Sequence, residues 1–211
     1  LTYTGDRLEP KVVVKTGFAT LVPGKDYTMT YTDNTGVGTA SFTVMGKGNY
    51  TGQTSGTFEI AVGEFTGKEL YNGKEEAESL YYSKTVDITA KETEAAKYSV
   101  SDSLDIDSFS KEYTFKSDKE GSQTRKLYFR NTDTGRIYQK DITVNFDNTA
   151  PTGKIKVDAK LWDRFLEIIS FGHYRAASRT VTIEAADTLS GVSNIEYLIA
   201  NKQMTLDELR A

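Results

Sequence analysis

His173 is the only histidine of this chain, and there is no cysteine. A Ser–His or Cys–His mechanism would rest on that one imidazole, and no G-x-S-x-G turn is present to present a serine nucleophile. His173 lies in Phe171-Gly172-His173-Tyr174 and reads as a loop or strand-end residue. The densest acidic group is Asp102, Asp105 and Asp107. Calcium accepts such oxygens, but an EF-hand loop needs a glycine at its sharp turn and a closing glutamate, and neither follows. The three aspartates therefore read as a solvated loop. Asp187, in Asp187-Thr188-Leu189-Ser190-Gly191, reads as an Asx-type turn whose carboxylate caps backbone N–H groups. No pair among the 30 acidic residues is marked by its context for glycoside chemistry. No catalytic residue, metal or cofactor is expected.

Aromatic side chains are the other candidates, because a row of rings can stack on sugars. There are 13 tyrosines, with Tyr81 and Tyr82 adjacent, and a single tryptophan, Trp162. Tyr27, Tyr31, Tyr113 and Tyr197 stand at alternating apolar positions and are expected in cores or cross-strand pairs. Tyr50, Tyr81, Tyr82 and Trp162 remain as exposed ligand-binding candidates. Trp162 and Phe165, however, recur at helical spacing within 161–166, which suggests a short helix or turn packed on the fold. A lysine–asparagine isopeptide cross-link needs a buried acid beside the pair; lysines and asparagines are present, but no such trio is identified. Asn49-Tyr50-Thr51 matches a glycosylation sequon and is read as incidental.

The elements that must carry these residues are strands. Val12 and Val14, then Tyr27, Met29 and Tyr31, then Ala40, Phe42 and Val44, then Phe58 and Ile60 alternate with polar neighbours. Turn signals separate them at Pro23-Gly24, Asp33–Gly36 and Gly46–Asn49. The pattern continues through Val86, Ile88 and Ala90, Tyr113 and Phe115, Leu127 and Phe129, and Ile142, Val144 and Phe146. Asn131-Thr132-Asp133-Thr134-Gly135 predicts a hairpin turn. The stretch 91–96 predicts a loop or a single helical turn. Pro151, in a small polar segment, predicts a boundary. Beyond it, Ile155 and Val157, Val181, Ile183 and Ala185, and Ile195, Tyr197 and Ile199 predict further strands. Thr205 with Glu208 forms a capping box that predicts a helix start. The expected organisation is three all-β sandwiches at 1–63, 64–148 and 149–211, the last incomplete, with a short C-terminal helix start.

Composition agrees with small sandwiches: 37% hydrophobic residues, 27% charged and 17 glycines give many turns around little core. A net charge of -4 with scattered lysines and arginines argues against nucleic acid. No apolar run approaches the roughly 18–20 residues that span a bilayer, so no membrane span is expected. Leu1 stands inside an apparent strand, so a signal and an anchor are expected, if present, outside this stretch.

Ordered motifs carry a resemblance. Tyr3-Thr4-Gly5, Glu9-Pro10-Lys11-Val12-Val13-Val14-Lys15, Gly24-Lys25-Asp26-Tyr27, Asn34-Thr35-Gly36-Val37-Gly38-Thr39-Ala40 and Gly46-Lys47-Gly48-Asn49-Tyr50-Thr51-Gly52 resemble the tandem bacterial immunoglobulin-like (Ig-like) repeats of Gram-positive cell-surface proteins. Thr149-Ala150-Pro151-Thr152-Gly153, Ile169–Gly172, Val181-Thr182-Ile183, Asp187–Val192 and Ile195-Glu196-Tyr197 resemble another module of that class. The middle region is placed there by strand pattern alone. The resemblance implies tandem Ig-like β-sandwiches, export to the cell surface or wall, and structural or adhesive roles without catalysis. Implied partners are neighbouring domains of the same polypeptide, and a cell-surface glycan or host protein. The alternative functions are a carbohydrate- or host-protein-binding module, or an accessory region of a secreted glycosidase.

Overall fold

The computed structural model describes residues 1–75, 80–158 and 180–197. Among these residues the fold is all-β, with one 3-10 turn at Ile106–Ser108 and no helix long and apolar enough to cross a membrane. The chain divides into two compact units, Leu1–Phe146 and Asp147–Ala211. His173, Trp162, the helical spacing at 161–166, Ile199 and the Thr205–Glu208 capping box lie outside the described residues.

The first half of the first unit begins with a hairpin, β1 (Lys15–Thr16) and β2 (Ala19–Thr20), whose turn leaves Phe18 fully exposed. An antiparallel meander follows: β3 (Tyr27–Thr32), β4 (Gly38–Gly46) and β5 (Gln53–Ile60). Its register sets Tyr31 beside Phe42 and Met29 beside Val44. Because side chains alternate across a sheet, one face collects Tyr27, Met29, Tyr31, Phe42, Val44 and Phe58. The other collects Thr30, Thr32, Ser41, Thr43, Ser55 and Thr57, whose hydroxyls bond across strands at 2.6 Å (Thr32–Ser41) and 3.0 Å (Thr43–Ser55). Position 56 has to be glycine, since a Cβ there would stand 2.6 Å from the ring of Phe42. The buried core is small: Leu21, Tyr27 and Val44, with Val14, Met29, Phe42 and Tyr50 packed against it. Tyr50, expected on the surface, is half-buried because this core needs its ring.

Among the described residues no second sheet covers that apolar face. Residues 8–14 cross it as an extended strap. Val12 and Val14 turn inward and Val13 outward, as the alternation predicts, but the strap joins no ladder before β1. Backbone bonds hold its two ends, Leu8 N–H to Asn34 and Leu21 N–H to Val14, both at 2.9 Å, and side chains hold its middle: Tyr31 donates to the Pro10 carbonyl at 2.6 Å and Tyr27 to that of Val12 at 3.3 Å.

The second half of the unit is a closed sandwich. It contains β6 (Gly63–Glu64), β7 (Glu69–Tyr71), β8 (Tyr81–Tyr82), β9 (Thr85–Ala90), β10 (Tyr98–Ser101), β11 (Tyr113–Lys116), β12 (Gly121–Asn131) and β13 (Ile137–Phe146). One sheet runs β7-β9-β11. The other runs β10-β12-β13, with β6 and β8 both parallel to β13 on its far edge. Ile88, Val86 and Phe115 from the first sheet meet Val100, Leu127, Phe129, Ile142, Val144 and Phe146 from the second in one buried core. Phe65 stacks on Phe129 with ring centroids 3.9 Å apart. The β12–β13 hairpin turns where Asn131 Oδ1 accepts the Asp133 and Thr134 N–H groups and Gly135 takes φ 70°. The stretch 91–96 is a loop closed by a Thr93–Ala96 bridge.

Backbone bonds join the two halves. The Tyr3 N–H donates to Ala61 at 2.9 Å, and its carbonyl accepts the Ile137 N–H at 2.8 Å. Gly5, at φ 86°, lies so close to Ile106 that an added Cβ would stand 2.2 Å from its Cδ1.

In the second unit, β14 (Thr152–Asp158) pairs antiparallel with β15 (Thr180–Ala186), setting Ile155 beside Ile183 and Val157 beside Val181. Asp187 Oδ1 accepts the Leu189 and Gly191 N–H groups at 2.9 and 3.1 Å, the expected Asx-type turn. Residues 191–197 differ from expectation. They join no ladder among the described residues, and Tyr197 is 72% exposed, not core. Period-2 alternation marks which side chains share a face but does not by itself supply a partner strand.

Candidate functional site

Tyr81 and Tyr82 occupy β8, where both are half-buried. Tyr82 lies against the sandwich core, its ring near-parallel to that of Tyr71 at 6.3 Å. The three aspartates are placed separately. Asp105 caps the 3-10 turn by accepting the Asp107 N–H at 3.1 Å, and Asp102 accepts the Tyr113 hydroxyl at 2.9 Å. Among the described residues no three His, Cys, Asp or Glu side chains converge in a metal-holding geometry. The two buried asparagines serve the backbone: Asn34 donates to Leu8 at 3.0 Å and Asn131 organises its turn.

Two polar clusters that the sequence did not suggest close the two sides of the sandwich. At one side Arg125 donates to the Tyr113 hydroxyl at 2.7 Å and to the Lys116 carbonyl at 3.1 Å. Its guanidinium also sits 4.7 Å above the Phe115 ring, a cation–π contact. Burial, opposed by the Arg125 hydrogen bond, holds the Tyr113 hydroxyl pKa above the ordinary tyrosine value. At the other side Lys140 of β13 reaches across to Glu69 of β7, with N–O distances of 2.8 and 2.7 Å. Glu75 bridges Lys91 and Lys68 nearby, and those hydrogen bonds pull its carboxyl below the usual range. In the second unit Asp147 accepts the Ser190 and Thr149 N–H groups at 3.0 Å, and hydrogen bonds from Ser190 foremost lower its pKa. Each cluster joins neighbouring elements.

A concavity lies in the first half, between the strap and β3. It encloses about 870 Å³ and is lined by Pro10, Val12, Leu21, Tyr27, Met29 and Tyr31, with Arg7, Glu9 and Lys11 at its rim. Burial, with the Glu9 carboxylate adding to it, raises the Tyr31 hydroxyl pKa.

Backbone parity defines one wall of this groove. The Gly46 N–H donates to Gly52 and the Lys47 N–H to Asp26, so Gly46 faces β5 and its partner Tyr27 turns its own N–H and C=O away from β4. By the two-residue repeat, Met29 and Tyr31 also point outward and Thr28, Thr30 and Thr32 point to β4. Tyr27 has its carbonyl taken by the Gly24 N–H at 2.8 Å; the outward groups of Met29 and Tyr31 have no such partner among the described residues.

No family model and no curated protein matches the chain.

Proposed function

We propose that this chain is a non-catalytic spacer from a Gram-positive cell-surface protein, built of tandem Ig-like modules that hold a distal module away from the wall. The observation that carries the reading is the strand order of the closed sandwich. A sheet β7-β9-β11 faces a sheet β10-β12-β13, which matches the A-B-E and C-F-G pairings of an Ig-like sandwich, with β8 added in parallel beside β13. The ordered motifs of the first and third regions support the same class. The polar side chains that the fold brings together hold neighbouring strands and turns, as a mechanical element requires. The backbone bonds from Tyr3 to Ala61 and Ile137 stiffen the row by tying its first two modules together.

The test is a spacer exchange. The segment is replaced, within the polypeptide that carries it, by an unrelated row of sandwich modules of equal length. Surface display and the distal activity survive if the segment acts only as a spacer. Their loss on exchange, with normal export, overturns the reading.

A further inference from the structure

β3 ends its sheet with Met29 and Tyr31 unpaired on the outer side. Long open edges are uncommon in natural sheets, because a row of free N–H and C=O groups recruits other strands. At the opposite edge the Leu1 carbonyl accepts the Ala61 N–H at 3.0 Å and the Tyr3 N–H donates back to Ala61 at 2.9 Å, covering that edge only at its end; what singles out the β3 edge is the groove beside it. The open positions are two residues apart, the repeat at which a strand offers matching groups. They border the 870 Å³ groove, which is at the upper end of the roughly 300–1,000 Å³ of ligand pockets.

We propose that this slot accepts an extended polypeptide strand that pairs with Met29 and Tyr31 and adds a fourth strand to the sheet. Main-chain pairing would supply affinity and alternate side chains specificity. One set of side chains would enter beside Pro10, Val12 and Leu21 and has to be apolar. The other would extend the hydroxyl face of Thr28, Thr30 and Thr32 and has to be polar. The rim selects by charge. Arg7 and Glu9 stand 4.0 Å apart and largely cancel, while Lys11 has no ion-pair partner among the described residues. A carboxylate flanking the apolar positions complements it. A compact apolar ligand would leave the outward backbone groups of Met29 and Tyr31 unanswered. The proposal is independent of the spacer reading, since a spacer can carry a docking edge.

The test uses the full chain on an array of seven-residue peptides: alternating apolar and polar with an acidic flank, the same residues scrambled, and the alternating peptides N-methylated on the pairing edge. The alternating peptides are expected to bind at least tenfold more tightly than either control, and to slow amide exchange at Met29 and Tyr31. Met29→Pro removes one outward N–H without breaking the β4 ladder, a site where an edge strand tolerates proline. It is expected to weaken binding at least tenfold with the melting transition retained. The N-methylated peptides give the same answer should that variant fail to fold. Equal binding of methylated and unmethylated peptides, no saturable binding by any alternating peptide, or a dimer of the chain that Met29→Pro dissolves would each overturn the proposal.

Discussion

Val44 and Val144 sit in near-identical settings, Thr43-Val44-Met45 and Thr143-Val144-Asn145, each on an inward-facing strand position. Their surroundings differ. Val144 is sealed between two sheets in a core of twelve buried residues, while Val44 shares its core with two others beneath a single strap. The same local pattern therefore makes a closed sandwich where a second sheet is available and a half-open one where it is not. The closed half has polar clusters on both sides and a core sealed between two sheets. The open half keeps a free edge and a groove, the features of a surface that can accept a strand.

Breaking the closed core should have the largest effect. Phe129→Ala removes a ring stacked on Phe65 and is expected to cost about 3–5 kcal/mol, against about 1.5 kcal/mol for Val44→Ala. Denaturant titrations of both variants check the difference, and a Phe129→Ala loss no larger than that of Val44→Ala would contradict the sealed packing of the Phe129 ring.

The joint between the halves comes next. Gly5→Ala meets both an unfavourable φ and the Ile106 side chain, whereas Gly24→Ala, at φ 77°, meets open space. We expect about 1–3 kcal/mol for the first and only the backbone strain, about 1 kcal/mol, for the second. The excess at Gly5 measures the joint, and thermal melts of the two variants report it.

A smaller effect is expected at the Glu69–Lys140 pair, which is partly solvated. Glu69→Ala should cost about 1 kcal/mol, falling as salt is added. A loss unaffected by salt would point to packing instead of charge.

The smallest effect is alkaline. Tyr31 and Tyr113, one in each half, have folded pKa values raised chiefly by burial. A raised value means the folded state resists deprotonation. The associated stability is complete below the unfolded tyrosine pKa of about 10 and is lost as pH rises through the folded value. Tyr31→Phe and Tyr113→Phe should each flatten that decline, read by stability measured from pH 8 to 11.

Much of the fold was legible in the sequence because alternation reports faces directly. β3, β4, β9, β12 and β13, the Asn131–Gly135 turn and the Asp187 turn follow from local spacing. Partners were not legible. Glu69 and Lys140 are 71 residues apart, and neither has a neighbour that announces the other. Val12 and Val14 alternate like a paired strand, yet what they face is a sheet surface and not a sheet edge. Tyr82 reads as free because the ring that receives it, Tyr71, belongs to the facing sheet. The groove is a consequence of a missing pairing, and a missing pairing leaves no mark in the pattern of residues.

Amide hydrogen exchange on the intact chain tests the contrast most directly. Slow exchange is predicted for Ile142 and Val144 at close to the global unfolding free energy, intermediate exchange for Thr28 and Thr30, and fast exchange for Met29 and Tyr31. Protection of Met29 and Tyr31 equal to that of Thr28 and Thr30 would contradict the open edge, and equal protection across both halves would contradict the distinction between them.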